Sequence, residues 1–497
     1  MTSPQVQKIV IVGGGIAGLA AAETLTRFPD ASRYRVTIYE SRRRCGGRAG
    51  SFVTRSHDGA TTTTDYCQHV TMGCCTNLLG LLRRTGLIDH WERYQSLTFY
   101  HPDHGLMPFE RSRLPAPFHL TKALLGLRFL SWNQQRQVAT AMWRLFRTKP
   151  EALISQTAET WLVSANQSEA TRRTFWDVIL ISALGDTCEN VSMAAARKVM
   201  IDGFAATPDA SDVYVPRLTL SKVFGEVLPA VLHDRGVEVV TGQSIKSIEF
   251  DGDAPKEPSR PAVRLGNGDR HVADQLIVAT PWHRAVPWLD KAGIQRTNEQ
   301  HQVVNGDASL QLASSPITGI HLWLDRWLTD LPHVVMVGTV SQWLFRDPIK
   351  RQSISDMPDE CGCYHQVVIS GHHEVAAGNK KACVATIMRE LNAAFPSTRD
   401  AVCLQSRVVT DPNSVFSVSP ESFDHRPVST TSNRRVHLAG DWIQTGWPAT
   451  MESAVISGVQ AACGAANSST LNRDEYLERP LQQNWLSRML IRDDASH

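Results

Sequence analysis

The chain opens on a pattern that changes period after a few residues. "IVIV" (9–12), after Lys8, is a short β-branched apolar run, which predicts a strand. Three glycines follow, and "IAGLAAAETL" then places its apolar residues at helical spacing. "RVTIYE" (35–40) predicts a second strand. Within "DYCQHVTMGCCTNLLGLLRRTGL" (65–87), Leu78, Leu79, Leu82 and Leu87 recur as on one helix face. Pro115 and Pro117 in "RLPAPFHL" break the pattern. Helical stretches follow in "TKALLGLRFLSWNQQRQVATAMWRLFR", where bulky apolar residues alternate with Arg and Lys, and in "TAETWLVSANQSEATRRTFWDVILISALG".

The character shifts near residue 218. "LTLSKVFGEVLPAVLHDRGVEVVTGQSIKSIEF" reads as helix, strand, strand. "AVRLGNGDRHVADQLIVATP" reads as two strands about an Asn-Gly turn, and the polar, Pro-containing "DGDAPKEPSRP" ahead of it predicts a hairpin tip. "PITGIHLWLDRW" and "HQVVISG" are further strands, "RRVHLAGDW" a last strand and "ATMESAVISGVQAACGAA" a last helix.

Composition narrows the class. With 42% apolar and 20% charged residues over 497 positions, the chain can bury a large core and divide into two or three domains. A net charge of +2 argues against a nucleic-acid partner. The apolar N-terminal run is broken by Gly13, Gly14, Gly15 and Gly18 and preceded only by Lys8, so it is not read as a signal segment, and no run is long enough to predict a transmembrane helix. Cys74-Cys75 and Cys361-Gly-Cys363 lack C-x-x-C spacing. The ten cysteines therefore read as reduced thiols of a cytoplasmic protein, and no metal site is expected.

The chemistry begins at Gly13-x-Gly15-x-x-Gly18, between the first strand and the first helix. The first glycine permits the turn, the second lets the backbone approach a pyrophosphate, and the third lets helix and strand pack closely. The helix N-terminus offers free N–H groups to phosphate. Glu40 ends the second strand, 22 residues after Gly18, where a carboxylate suits a ribose diol and repels a 2′-phosphate. Together these predict an α/β chain with a Rossmann-type dinucleotide-binding domain, completed by the β-meander, and a discontinuous mixed α/β substrate domain. The expected boundaries are 1–115, 206–285 and 406–467 for the nucleotide domain, 116–205 and 286–405 for the substrate domain, and 468–497 for a tail.

Gly46-Gly47-Arg48 follows Glu40 closely and has no standard use in an NAD domain. Flavin amine oxidases and carotenoid desaturases carry a similar Gly-Gly-Arg near the pyrophosphate, so the resemblance implies FAD. Most of the chain resembles the squalene-associated, FAD-dependent hydroxysqualene dehydroxylases of that superfamily. "TDYCQHVTMG", "SPITGIHLWLD" and "GDWIQTGWPATMESAVISG" carry the likeness. Tyr66-Cys67 departs from the family's Asn-Gly, and its extra bulk is expected to reshape the wall beside the flavin. The resemblance places Gly440 and Asp441 beside the pyrophosphate and ribityl chain. It places Ala449, Thr450 and Met451 where the last helix begins, with its electropositive end toward the flavin N1–C2 edge. Glu452 in that first turn reads as a favourable helix-start charge.

The implied reaction is transfer of hydride from reduced FAD to the hydroxyl-bearing carbon of hydroxysqualene, giving squalene for hopanoid or other triterpenoid synthesis. Hydroxide is a poor leaving group, so a general acid is expected. His69 is the first candidate, with Gln68 positioning it, and His321 the second. Trp442 and Trp447 are candidate walls for the polyene. A carotenoid or phytoene desaturase, a flavin amine oxidase and a non-catalytic FAD-bearing scaffold remain alternatives. No second dinucleotide motif is present, so the electron donor is expected to be separate. The segment 118–147 and the tail "LQQNWLSRMLIRD" mix Trp, Leu, Phe and Met with Arg, as a peripheral helix on the inner membrane face would.

Overall fold

The computed structural model describes residues 6–55, 61–251, 259–299, 302–304, 312–347, 362–466 and 472–492. Its nucleotide half is built on a five-stranded parallel sheet in the order Glu238–Thr241, Tyr34–Glu40, Gln7–Val12, Gln275–Val278, Val436–Leu438. Ile11 lies opposite both Ile38 and Ile277, so the apolar run at the N-terminus forms the sheet's centre. The helix Ile16–Leu25 is buried on every side, as its Ala-rich sequence allows. It packs against the last helix, Met451–Ala466, where Gly458 lets the backbones close in: a Cβ there would lie 2.4 Å from the Ala17 carbonyl oxygen. The predicted meander is present as Ile245–Phe250, Pro261–Leu265 and Arg270–Val272, before Gln275–Val278 returns to the sheet. Most of the predicted hairpin tip lies outside the described residues, as does Cys361.

A seven-stranded mixed sheet forms the second half, in the order Cys403–Phe416, Ser314–Leu324, Cys363–Ser370, Trp343–Arg346, His333–Met336, Ser96–His101, Gly105–Glu110. The last two strands fall before residue 115 yet hydrogen-bond into this sheet, and Cys403–Phe416 begins before residue 406. Period-two alternation divides the faces. Ile320, Leu322, Leu324, Val367 and Ile369 pack under the helix Lys380–Ala394 through Ile387 and Leu391. The opposite face carries Gly319, His321, Trp323, Tyr364 and Gln366 and turns toward the segment Asp65–His69.

The predicted helical region around 121–147 is two helices, Thr121–Gly126 and Trp132–Phe146. Ser131 divides them with a capping box: its hydroxyl accepts from the Gln134 N–H, and the Gln134 side chain accepts from the Ser131 N–H at 2.9 Å. The next stretch is likewise interrupted. Ala158–Ser164 ends at Asn166, in the left-handed region with φ of 56°, and a helical run from Glu169 to Leu184 follows with a π-turn at Arg172–Trp176.

Candidate functional site

The glycine turn sits at the C-terminal edge of the parallel sheet. Gly13 has φ of +109°, and a Cβ on it would meet the Ala279 carbonyl oxygen at 2.5 Å. A Cβ on Gly18 would lie 2.0 Å from the Gly13 carbonyl oxygen, so the third glycine is required by packing alone. Gly15 differs: the nearest atom to a Cβ there is the Gly47 Cα at 4.0 Å. The space above Gly15, at the start of the first helix, is a cradle that a side chain would fill and that a pyrophosphate fits. Glu40 is buried at its strand end, with Oε2 accepting from the Gly14 N–H and Oε1 from the Arg42 N–H, both at 2.8 Å. The Thr280 hydroxyl is buried without a hydrogen-bond partner, while its methyl is the part that would lie 3.1 Å from a Cβ on Gly13. An open glycine cradle at a helix start, and an unpartnered buried hydroxyl one residue after Ala279 at the same sheet edge, fit a polar ligand.

Gly46 and Gly47 both adopt positive φ, and the Gly46 N–H donates to the Gly14 carbonyl at 2.8 Å. This brings Gly-Gly-Arg against the first turn. Arg48 then pairs with Asp441 at 2.6 Å and donates to the Ser414 carbonyl at 2.5 Å. Burial works against the Arg48 charge, but the Asp441 carboxylate outweighs it and holds the pKa above the usual arginine value. Gly440, with φ of +143°, donates its N–H to Ser457 Oγ at 2.8 Å, fixing the turn that presents Asp441.

Thr450 caps the last helix by accepting the Ser453 N–H at 3.2 Å, and Ala449, Thr450 and Met451 stay partly accessible around that N-terminus. Glu452 serves a different helix from its own. Oε1 accepts from the Asn77 N–H and side-chain amide at 3.0 and 2.9 Å, and Oε2 from the Leu78 N–H at 2.8 Å, capping Thr76–Arg84. Burial pushes this carboxyl up to about 7, against the lowering effect of those three bonds. Trp442 is not an open wall. It is fully buried, with its indole N–H on the Thr280 carbonyl at 3.0 Å. Trp447 is half-buried, under the Lys198 ammonium at 4.7 Å from the ring centre.

His69 lies deep in the protein but keeps an accessible surface. Its Nδ1 is 2.8 Å from the Cys67 carbonyl, which can only accept, so Nδ1 carries the hydrogen and Nε2 is left as a bare acceptor. Burial, with the nearby Arg48 charge, lowers its pKa despite that bond. At neutral pH His69 is therefore a base and not a ready proton donor. The Gln68 N–H donates to Gln366 Oε1 at 2.5 Å, which ties the segment to the seven-stranded sheet, and the Gln68 side chain donates only a long bond to the His69 carbonyl, at 3.4 Å. Tyr66 turns its ring outward, 37% exposed, against Phe52 and under Arg44, so its bulk leaves the interior.

His321 is sealed in the core, and burial lowers its pKa to about 3. It donates to the Tyr66 carbonyl, whose approach depends on Gly319: a Cβ there would lie 2.6 Å from that oxygen. Nδ1 is left to accept, and both the Tyr364 hydroxyl at 2.8 Å and the Gln366 amide at 3.1 Å converge on it. Tyr364, unlike His321, keeps accessible surface. Burial drives its phenol well above its ordinary pKa, so it stays protonated. Sequence reading missed Tyr364, Gln366 and Thr280. Only the strand register, with Trp323 opposite Tyr364 and His321 opposite Gln366, assembles the first two.

Comparison with known proteins agrees with this geometry. Residues 16–466 match the family described as flavin containing amine oxidoreductase. A probable zeta-carotene desaturase of Synechococcus elongatus is 25% identical, over 92% of this chain and 98% of its own length. A hydroxysqualene dehydroxylase of Zymomonas mobilis is 24% identical, over 91% and 97%. Among solved structures, a putrescine oxidase variant superposes with a TM-score of 0.64 at 14% identity, covering 93% of this chain and 99% of that one. A putative protoporphyrinogen oxidase of Exiguobacterium gives 0.61, also at 14%, covering 93% and 98%.

Proposed function

Because the chain belongs to the flavin containing amine oxidoreductase family and is an FAD-dependent oxidoreductase, we propose that it removes the hydroxyl group of hydroxysqualene reductively, yielding squalene and water. One carbon–oxygen bond breaks, one carbon–hydrogen bond forms, and a proton joins the departing hydroxide. Bound FAD, once reduced by an external donor, supplies the hydride.

The residues of this chain supply the rest. The Gly15 cradle, Glu40, the Arg48–Asp441 pair and the start of the last helix hold the dinucleotide from both ends. The observation that carries the reading is the Tyr364–His321 pair on the inner sheet face: a partly accessible tyrosine, kept protonated and hydrogen-bonded to His321 at 2.8 Å, beside Trp323. Tyr364 can move its hydrogen bond from His321 Nδ1 to the substrate oxygen and donate its proton as that oxygen leaves. His321 then positions Tyr364 without touching substrate.

Desaturation of a polyene, with electrons flowing into the flavin, is the second reading. The bare Nε2 of His69 favours it, since a base there can take the proton that a desaturase must remove. The zeta-carotene desaturase relative is consistent with it.

Turnover in D₂O separates the two. Dehydroxylation by reduced enzyme predicts squalene carrying one deuterium at the former carbinol carbon, because the flavin N5 hydrogen exchanges with solvent. Squalene absent from the products, with a polyene oxidised instead by the resting enzyme, would reject the first reading for the second.

A further inference from the structure

The three tryptophans that are exposed among the described residues all lie on one face of the helical half: Trp132 at 69%, Trp143 at 48% and Trp485 at 72%. Trp132, Arg136, Trp143 and Arg147 follow helical spacing, so they form one outward stripe along and just past the helix Trp132–Phe146, whose Val138, Ala141 and Leu145 face the core. The short helix Trp485–Leu490 lies against the end of that stripe. Arg147 reaches the Leu490 carbonyl at 3.4 Å, and the Arg492 N–H donates to the Phe146 carbonyl at 2.8 Å. Asn484 holds the Ala116 carbonyl at 3.1 Å, and Gln135 holds the Leu125 carbonyl at 3.3 Å. These bonds bring Phe118, Leu125 and Met489 onto the same surface, at 39%, 50% and 58% exposure.

Charge on this face is predominantly basic, with Arg111 at its edge paired to Asp209 and Asp212. From Arg111 to Lys149 the chain carries eight Lys or Arg and no Asp or Glu, and Arg488 and Arg492 add to it. The whole chain has a net charge of only +2, so the basic excess is concentrated here. Tryptophan interleaved with Arg on a helix that stays amphipathic suits the headgroup boundary of a bilayer, with the rings at the acyl edge and the guanidinium groups on phosphate. No helix among the described residues is long and apolar enough to cross a membrane. A second copy of the chain is a poor occupant, because apposing two such faces sets arginine against arginine.

We propose that this face, formed by residues 111–149 and 484–492, docks the protein on the surface of a bilayer rich in anionic lipid. Electrostatics draws it in, and Trp132, Trp143 and Trp485 anchor it. The inference does not depend on which lipid the enzyme acts upon.

Cosedimentation of the FAD-loaded protein with vesicles tests this, comparing pure phosphatidylcholine with a phosphatidylcholine–phosphatidylglycerol mixture. Binding to the mixed vesicles is expected, falling as salt rises. Arg136→Glu/Lys122→Glu should weaken it by at least about fivefold per lysine or arginine removed. Trp132→Ser/Trp485→Ser should weaken it at every salt concentration, and both variants should keep their FAD and thermal midpoint. Failure of the wild type to bind any vesicle overturns the proposal, as does binding that neither double variant alters. A dimer in lipid-free solution that Trp132→Ser/Trp485→Ser dissociates would also overturn it, by assigning the face to a second copy.

Discussion

The Arg48 guanidinium lies 2.6 Å from the Asp441 carboxylate, joining the Gly-Gly-Arg turn near the N-terminus to the Gly-Asp turn near the C-terminus. Asp441 is almost fully buried, so the pair couples two remote segments where a charge would otherwise stand alone. Arg48→Ala should remove a charge-assisted bond worth about 1.5–3 kcal/mol and raise the FAD dissociation constant roughly 10- to 150-fold. Adding Asp441→Asn should recover part of the loss, because the stranded carboxylate is then neutral. Flavin fluorescence titration of the two variants measures both effects.

Gly15 and Gly18 should respond differently to a side chain. A Cβ on Gly15 meets nothing closer than 4.0 Å, so Gly15→Val should fold and give a colourless protein with the thermal midpoint of the apoprotein. A Cβ on Gly18 would lie 2.0 Å from a backbone oxygen, so Gly18→Ala should lower stability by about 1–3 kcal/mol or more even without cofactor. A yellow, fully loaded Gly15→Val protein would contradict the placement of the pyrophosphate.

Tyr364→Phe should lower kcat about 10²- to 10⁴-fold, the range of a lost general acid, while FAD content and the thermal midpoint hold. His321→Gln should act more weakly and mainly on kcat, since it disturbs only the anchor. His69→Ala should spare dehydroxylation if His69 is the bare base its bond to Cys67 implies. Steady-state assays of the three variants distinguish these roles.

Acid should destabilise the fold steeply. Burial depresses His321 and His365 to about 3, and His119, His333 and His437 to about 4. Below the unfolded value of about 6.5 the unfolded chain binds protons that the folded chain refuses, so stability falls as pH falls, by up to about 1.4 kcal/mol per pH unit for each histidine. Glu452, raised to about 7, works in the opposite sense, since its contribution is lost as pH rises from about 4.5 toward 7. The five histidines outweigh it, so the thermal midpoint should drop from pH 6.5 to 5, and a flat profile across that range would contradict their burial.

The nucleotide half was legible because its signals are local. β-branched runs, a steric need for glycine at Gly13 and Gly18, and a strand-ending Glu40 each act within a few residues. The half built on the seven-stranded sheet depends on long-range pairing. Tyr364 joins His321 only through the register of two antiparallel strands, and nothing in "CYHQVVISG" marks that tyrosine. Glu452 looked like a charge for its own helix start but spends its oxygens on Asn77 and Leu78, a relation set by how two helices pack. Trp442 looked like a wall because tryptophan suits one, and the Thr280 carbonyl drew it into the core instead. The role of His69 turned on one backbone carbonyl, at Cys67, that composition cannot reveal.

The most direct test is anaerobic. FAD-loaded enzyme is reduced, mixed with hydroxysqualene, and followed by flavin absorbance while products are taken for mass spectrometry. Reoxidation of the flavin is expected, with one squalene formed per flavin. A flavin that stays reduced in the presence of substrate, with no squalene formed, would contradict reductive dehydroxylation and leave the oxidised enzyme acting on a polyene as the reading to pursue.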